Sequence, residues 1–169
     1  MVKRADGVYV QFCVDVDRKE NTEPSGTKIG LDVGLKEYYT DSNGTTGENP
    51  RFLRKGEKVI KHSQRRVSRK IKGSKNRGKA RQILGKRHLK ISRQRKDHAI
   101  KLARCVVQSN DVIVYEDLRI KNMVKNHCLA KSINDASWYQ FRIWLEYFVQ
   151  VFEKITVAVN PQYTSFRML

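Results

Sequence analysis

Apolar and polar residues alternate near the start of the chain. Gly7 to Val16 reads GVYVQFCVDV, and one side of this alternation carries Val8, Val10, Phe12, Val14 and Val16. A period of two over this length predicts a half-buried β-strand. A second apolar run, KIGLDVG, ends at Gly34 and predicts another strand. The Asn43-Gly44 pair that follows is typical of a tight antiparallel hairpin, because both residues tolerate positive φ angles.

The pattern becomes helical after Asn49-Pro50. Apolar residues recur first every seven positions and then after four, at Leu53, Ile60, Val67 and Ile71. Two glycines within Lys72 to Lys79 predict a break. Steps of four and three then follow, at Leu84, His88, Ile91, Arg95, His98, Leu102 and Cys105. The two runs predict an antiparallel helical hairpin over residues 51–109, whose second arm of about 30 residues would be roughly 45 Å long.

The last third of the chain combines two predicted strands with an aromatic helix. NDVIVYEDL, ending at Leu118, is typical of a central strand that enters a loop, and a polar, basic connector follows it. Ala136 to Lys154 has helical periodicity, with one apolar face formed by Trp138, Phe141, Leu145, Phe148 and Phe152. This face is interpreted as core and not as a cofactor site. ITVAVN predicts a final strand. Strands alternating with helices indicate an α/β fold whose sheet is partly parallel and begins with a hairpin.

Positive charge is concentrated in one segment. The formal net charge is +18, and Arg51 to Arg104 holds 22 Lys and Arg against two acids, Glu57 and Asp97. The rest of the chain is therefore nearly neutral. A basic segment attached to a nearly neutral domain favours a nucleic-acid partner. Its Lys and Arg would displace counterions condensed on the phosphate backbone, which gives affinity that does not depend on sequence. A solvated basic face or a helix that binds a membrane surface is the alternative.

The densest part of this segment supplies the candidate nucleic-acid-binding residues. They share a position around the predicted break of the hairpin: Arg65, Arg66, Arg69, Lys70, Lys72, Lys75, Arg77, Lys79 and Arg81. Contacts to the phosphate backbone are expected, since nothing in the pattern supplies readout of base edges. A helix pair that is merely solvated remains the alternative.

The cysteines indicate a reducing compartment. Cys13, Cys105 and Cys128 are far apart, odd in number and form no C-x-x-C motif, which argues against a disulfide framework and against a zinc site in this chain. No signal peptide is visible at the start, and no stretch of about 18 apolar residues would cross a membrane. We therefore expect a cytoplasmic protein with no membrane partner.

Two carboxylates stand out in apolar strands. Asp32 lies within KIGLDVG and Glu116 lies near the end of NDVIVYEDL. If the two strands are neighbours, the side chains can converge, and converging carboxylates in a basic protein indicate a divalent-metal site. Gly34 would then leave room for a phosphate. Alternatively, Asp32 pairs with a buried Lys or Arg, or caps the turn at Val33-Gly34. Asp117 is expected to face away from Glu116.

Several blocks of the chain resemble the transposon-encoded TnpB (OrfB) proteins, which are RuvC-like nucleases. The resemblance extends from about Gly7 to Thr164 and rests on GLDVGLKEYYTDSNG, ENPRFLRKGEKVIKHSQRRVSRKIKGSKNRGKAR, NDVIVYEDLRIKNMVKN and LAKSINDASWYQFRIWLEY. It implies an RNase-H-like (RuvC-type) mixed sheet with the basic helical hairpin inserted. It also implies an RNA-guided DNA endonuclease that requires Mg²⁺ and binds DNA and a guide RNA. Asp32 matches the first catalytic and metal-binding acid of the family, and Glu116 matches the second.

The resemblance also divides the chain into regions. Residues 1–26 resemble the end of a preceding β-barrel domain with a connector. Residues 27–169 resemble a partial RuvC-like domain, with 51–109 as its insertion. Members of the family continue into a zinc ribbon and a third catalytic aspartate, whereas this sequence ends NPQYTSFRML. We therefore expect a fold that is incomplete at the C-terminus and cleavage that is impaired. A catalytically silent nucleic-acid-binding fragment of a mobile-element protein is the alternative, and a basic ribosome-associated protein is a weaker one.

Overall fold

A computed structural model of the chain describes residues 1–161. These residues form two compact units, one made of Met1–Asp17 with Arg51–Lys96 and the other of Arg18–Pro50 with the chain from Asp97 onward. The elements, in chain order, are β1 (Val2–Arg4), β2 (Gly7–Tyr9), β3 (Lys28–Val33), β4 (Tyr39–Asp41), β5 (Thr46–Gly47), α1 (Phe52–Ser68), α2 (Lys75–Ser109), β6 (Val112–Glu116), α3 (Ile120–Met123), α4 (His127–Ala136), α5 (Trp138–Val151) and β7 (Ile155–Val159).

The second unit is built on a mixed sheet of five strands. The strand order is β5-β4-β3-β6-β7; β3, β6 and β7 are parallel, and β4 and β5 are antiparallel to their neighbours. The predicted α/β class, with a partly parallel sheet and a hairpin at its start, is confirmed. The hairpin turn is closed by Asp41, whose side chain accepts hydrogen bonds from the amides of Asn43 (2.9 Å) and Thr45 (2.8 Å). Gly44 adopts a φ of 82°, as the Asn-Gly signal predicted, whereas the expected positive φ at Asn43 is not observed.

Helices cover one face of this sheet. On this face the sheet contributes Ile29, Leu31 and Ile113 to the buried core. The predicted apolar face of α5 is buried in the same core: Trp138, Phe141, Leu145, Phe148 and, just after the helix, Phe152. The interpretation of that face as core is therefore confirmed. The C-terminal part of α2 joins the core through small residues, Ala99 and Ala103, and through His98, whose ring packs edge-on against Tyr38 at 5.0 Å.

The first unit contains α1 and the part of α2 up to Lys96, which form the helical hairpin that the periodicity predicted. Gly56 of α1 lies close to α2: a Cβ added at Gly56 would stand 3.0 Å from Ile91 Cδ1. Ile60 and Ser63 are buried in the same helix. Arg87 of α2 donates a hydrogen bond to the carbonyl of Val59 (2.8 Å) and another to Ser63 Oγ. A glycine and an arginine therefore contribute to the packing of the two helices.

The break between the helices is shorter than predicted. It spans residues 69–74, where Gly73 has a φ of 83°. Ser74 Oγ accepts a hydrogen bond from the Arg77 amide (3.1 Å), as an N-cap does, so α2 begins at Lys75 and includes the second glycine, Gly78. The expectation that the apolar stripe extends to Ile71 is wrong. Ile71 lies beyond the end of α1 and is 81% exposed.

A small hairpin, β1 with β2, packs against α2. Ala5 in its turn approaches Gly85, where an added Cβ would stand 2.8 Å from the Ala5 Cβ. Arg93 pairs with Asp6 (2.7 Å) and donates a hydrogen bond to the Tyr9 hydroxyl (2.8 Å). Gly85 therefore permits the close approach, and Arg93 fixes the orientation of the hairpin.

The strand predicted over Gly7–Val16 is wrong in extent. Only Gly7–Tyr9 is a strand, and residues 10–27 have no regular secondary structure. The apolar side chains of the predicted strand are exposed, Phe12 by 84% and Val14 by 71%. Alternation alone specifies a strand only where a neighbour completes the hydrogen bonds and covers the apolar side. Within the described residues β2 pairs with β1 alone.

The connector after β6 contains two helices that the sequence pattern did not predict. The first is the single turn of α3, and the second is α4, whose N-cap Asn126 accepts a hydrogen bond from the Cys128 amide (3.0 Å). Ile133 and Ala136 anchor α4 in the core. Ser137, with a φ of 59°, separates α4 from α5, so the aromatic helix begins at Trp138 and not at Ala136. None of the helices described is long and apolar enough to cross a membrane.

Candidate active site and nucleic-acid interface

Asp32 and Glu116 lie on neighbouring parallel strands. The last pair of residues in register between β3 and β6 is Leu31 with Tyr115, and each carboxylate follows directly after its member of that pair. The two strands also run in the same direction, so both acids lie at the carboxyl edge of the sheet. The structure therefore brings together the two residues that were predicted to converge.

The side chains on β3 alternate between the two faces of the sheet. Leu31 is buried in the core, and Asp32 is exposed on the opposite face. An open groove of about 380 Å³ lies on this face, and its lining includes Asp32, Glu116, Gly30, Thr40, Ser42 and Val114. The expectation of a carboxylate inside an apolar strand is thus corrected in one respect. The strand is apolar on its core side, but Asp32 points to the open side.

Electrostatics link the two acids. Partial burial, and after it the negative charge of Glu116, raises the pKa of Asp32 above its usual value. In the described part of the chain neither carboxylate has a hydrogen-bond or ion-pair partner. The two alternatives for Asp32 are therefore not observed there: no Lys or Arg pairs with it, and the turn after β3 is closed by the Gly34 amide, which donates to the Tyr38 carbonyl at 3.2 Å.

Gly34 has a local structural role. A Cβ at this position would stand 3.0 Å from the carbonyl oxygen of Glu37, so the missing side chain allows the tight turn between β3 and β4. This contact explains the glycine without a ligand. Space for a phosphate beside Gly34 stays a prediction.

The residues on either side of Glu116 face α5. The Tyr115 hydroxyl donates a hydrogen bond to Glu146 (2.6 Å), and Arg142 pairs with both Glu146 (2.9 Å) and Asp117. Burial and the bond to Glu146 raise the pKa of Tyr115 to about 12. Asp117 is engaged with Arg142, which agrees with the expectation that it turns away from Glu116.

Sequence reasoning missed this ion-pair network. Arg142 and Glu146 are four residues apart on α5, which is the spacing at which opposite charges meet on a helix. That spacing, inside an otherwise aromatic helix, was the available signal. It did not identify Tyr115 or Asp117 as partners, because those contacts depend on how α5 packs on the sheet.

The candidate nucleic-acid-binding residues surround the turn of the helical hairpin. Eight of the nine are exposed: Arg65, Arg66, Arg69, Lys70, Lys72, Lys75, Lys79 and Arg81. Arg77 is half-buried, and its guanidinium donates a hydrogen bond to the Lys70 carbonyl at 3.1 Å. The eight exposed side chains can reach a ligand from solvent, whereas Arg77 also stabilises the turn.

Other metal-ligating side chains do not cluster in the part of the chain that the structure describes. No group of three or more His, Cys, Asp or Glu side chains is placed to hold a metal ion in residues 1–161. Cys13, Cys105 and Cys128 are exposed free thiols.

Comparison with known proteins agrees with the resemblance. Residues 11–127 match the OrfB_IS605 family model, which is described as a probable transposase. A protein of Streptomyces pristinaespiralis named "Putative RNA-guided DNA endonuclease" is 36% identical over 140 residues, which is 83% of this chain and 35% of the relative. The Escherichia coli K12 protein named "Putative RNA-guided DNA endonuclease InsQ" is 30% identical over 174 aligned positions, covering 94% of this chain and 43% of the relative.

The match has two consequences. The chain spans less than half the length of these two curated relatives. The matched residues include both strands that carry Asp32 and Glu116, and the whole helical hairpin. The chain therefore belongs to the TnpB/OrfB family of transposon-associated proteins.

Proposed function

We propose that this chain is the RNase-H-like (RuvC-type) portion of an RNA-guided DNA endonuclease, in which Asp32 and Glu116 bind Mg²⁺ and act in phosphodiester cleavage. The observation that carries the proposal is the placement of the two carboxylates on one face, at the carboxyl edge of adjacent parallel strands. The names of the relatives support the reaction class.

The residues present fit a divalent cation. Carboxylate oxygens are the ligands that Mg²⁺ prefers, and it is commonly held by one or two carboxylates together with water and phosphate oxygens. Asp32 and Glu116 have no protein partner in the described residues, and partial burial, together with the negative charge of Glu116, raises the pKa of Asp32. When bound, the cation would supply electrostatic stabilisation of the charge that develops on the cleaved phosphodiester.

The basic surface is proposed to bind the nucleic acid. The eight exposed Lys and Arg around the hairpin turn would neutralise backbone phosphates, which gives affinity without base readout. DNA and a guide RNA are the partners that the names of the relatives suggest. Of the described acids that line the groove, Asp32 and Glu116 have no protein partner, whereas the Asp41 carboxylate accepts hydrogen bonds from the amides of Asn43 and Thr45. We therefore propose that this chain alone holds Mg²⁺ weakly and cleaves slowly.

A direct test measures cation binding and cleavage in the same preparation. Isothermal titration with Mn²⁺, and cleavage of target DNA with a guide RNA and Mg²⁺, would be compared between the unmodified chain and Asp32→Ala. Asp97→Ala is the matched control, because Asp97 is an exposed acid paired with Lys101 on the surface of α2. We expect Asp32→Ala to abolish the Mn²⁺ heat and any cleavage, and Asp97→Ala to change neither.

The second candidate function, a silent nucleic-acid-binding protein, is favoured by the exposed basic surface alone. It predicts salt-dependent DNA binding that survives Asp32→Ala, with no Mn²⁺ heat in either protein. That result would refute the catalytic proposal for this chain while leaving the binding surface in place.

A further inference from the structure

Both sequence neighbours of Glu116 are held by one ion pair on α5. Tyr115 donates its hydroxyl hydrogen bond to Glu146 Oε1 at 2.6 Å, and the Arg142 guanidinium lies over the Tyr115 ring at 5.6 Å. On the other side of Glu116, Arg142 forms an ion pair with Asp117. Arg142 Nε donates to the same Glu146 oxygen at 2.9 Å, which makes the four side chains one connected network.

The network lies on the opposite face of the sheet from the candidate metal ligands. Side chains alternate along β6, so Tyr115 and Asp117 point toward α5 while Glu116 points with Asp32 into the open groove. A strand that is fixed at the residues before and after Glu116 cannot rotate about its own axis there. The direction of the Glu116 side chain is therefore restrained by the contacts of its two neighbours, in addition to the pairing of Glu116 with Val159.

The strand end is also restrained on one side by β7, because Glu116 is in register with Val159, whereas the pairing with β3 ends at Tyr115. Beyond Glu116 the main chain is held by the Asp117 amide, which donates to the Val159 carbonyl (2.8 Å), and by the Leu118 amide, which donates to the Glu116 carbonyl (2.9 Å). Asp117 itself is more than half exposed. On the side of β3, where the pairing has already ended, the side-chain anchors add to the order that β7 provides.

We propose that the Arg142–Glu146 pair is the positioning device for Glu116, which holds its carboxylate on the face of Asp32. Arg142 is a positioning residue and not a catalytic one, because its contacts are with Tyr115, Asp117 and Glu146. The consequence for metal binding rests on the function proposed above. The consequence for the order of Glu116 does not.

The chain offers a matched control at Arg104. Its side chain is 43% exposed, against 34% for Arg142. It also pairs with a glutamate, Glu20 at 3.1 Å, and lies over an aromatic ring, Phe152 at 5.8 Å. Arg142→Met and Arg104→Met therefore remove the same kind of interaction from the same unit, and each retains the apolar stem of the side chain.

The first measurement uses the metal-free chain. Backbone ¹⁵N order parameters of residues 115–118 would be compared between the unmodified protein and the two variants. We expect rigid values of about 0.85 in the unmodified chain and in Arg104→Met, and a fall at Glu116 and Asp117 toward about 0.6 in Arg142→Met. Unchanged order parameters in Arg142→Met would overturn the proposal, whatever the metal does.

The second measurement is the Mn²⁺ dissociation constant of the same three proteins. We expect Arg142→Met to weaken binding by about tenfold or more, as removal of a group that orients a metal ligand typically does, and Arg104→Met to leave it unchanged. Equal affinity in Arg142→Met and the unmodified chain, with lowered order at Glu116, would also overturn the proposal.

The two arms separate this inference from the proposed function. If the unmodified chain shows no Mn²⁺ heat while order at Glu116 still falls in Arg142→Met, the metal site is refuted and the positioning role stands. If Arg142→Met does not fold, Arg142→Lys takes its place, since a lysine keeps the charge but donates from a single nitrogen, whereas Arg142 contacts Glu146 and Asp117 through two different nitrogens. It should give intermediate losses in both measurements, and no loss in either would count against the proposal.

Discussion

Lys154 and Asp111 form an ion pair in which the lysine is almost completely buried, with 6% of its side chain exposed. Asp111 also accepts hydrogen bonds from the amides of Gly26 (2.6 Å) and Ser25 (3.2 Å). One carboxylate therefore joins the connector before β3 to the start of β6 and to the residue before β7. The bond from Lys154, followed by those from Gly26 and Ser25, lowers the pKa of Asp111 from 3.8 to about 2.

This pKa shift predicts the pH dependence of Asp111→Asn. A carboxyl whose pKa is depressed on folding stabilises the protein above its unfolded pKa of 3.8, and that contribution is lost as the pH falls toward about 2. The decrease in Tm caused by Asp111→Asn should therefore be largest above about pH 5. The difference in Tm from the unmodified chain should shrink between about pH 4 and pH 2. Circular dichroism melts across this range measure it, with Asp97→Asn as the surface control. A difference in Tm that is independent of pH would contradict the assignment.

Leu145 tests the core beneath the sheet. It is 1% exposed, and truncation to alanine removes buried methyl groups and leaves a cavity. Leu145→Ala should lower the free energy of unfolding by about 2–5 kcal/mol in urea denaturation. Ile143→Ala on the same helix is the control, because Ile143 is 44% exposed and its truncation should cost less than about 0.5 kcal/mol. Similar costs for the two variants would mean that α5 packs through a different face.

Gly47 tests the packing of the sheet edge. A Cβ there would lie 2.5 Å from Tyr39 Cε1, and the Tyr39 ring is parallel to Phe141 at 6.4 Å. Gly47→Ala should destabilise the protein by about 1–3 kcal/mol, because the ring must move against the core. Gly78→Ala is the contrasting variant: Gly78 lies in α2 with open space around it, and alanine should stabilise by about 0.5–1 kcal/mol. Chemical denaturation of both variants should give changes of opposite sign.

The basic surface predicts how DNA affinity responds to salt. Replacing Arg65, Arg66 and Arg69 by alanine should weaken binding to any sequence. It should also reduce the slope of log K against log salt by about 0.7–0.9 for each phosphate that is no longer neutralised. Fluorescence anisotropy over a series of KCl concentrations gives the slope. Lys101→Ala is the control, because Lys101 is already paired with Asp97 at 2.8 Å. A slope unchanged by the triple substitution would place the DNA-binding residues elsewhere.

The sequence predicted those features that depend on local periodicity. The apolar run KIGLDVG predicted a strand, and the structure has β3 at Lys28–Val33. The seven-residue recurrence predicted the helical hairpin, and the aromatic periodicity predicted the buried face of α5. Each of these patterns lies within one helix or strand, so it can be interpreted without knowing which elements pack against it.

The features that the sequence did not predict depend on contacts between distant segments. Val10 and Phe12 alternate as strand residues do, but a strand also needs a partner, and periodicity says nothing about partners. The segment after β6 was predicted to be a polar connector, and α4 within it was not predicted. This helix is stabilised by the N-cap Asn126 and by the burial of Ile133. The link from Arg142 to Asp117 spans 25 positions of sequence and exists only because α5 packs on the sheet.

The alternation of faces along β6 also limits how this strand can change in evolution. Deleting one residue before Glu116 would shift the phase of everything after it, so that the acid would point into the apolar core and Asp117 would move to the groove. A substitution at Val112 or Val114 changes the size of one side chain, whereas a change in strand length moves every later side chain to the opposite face of the sheet. Length variation should therefore be confined to the connectors, while the number of residues between the start of β6 and its carboxylate stays constant.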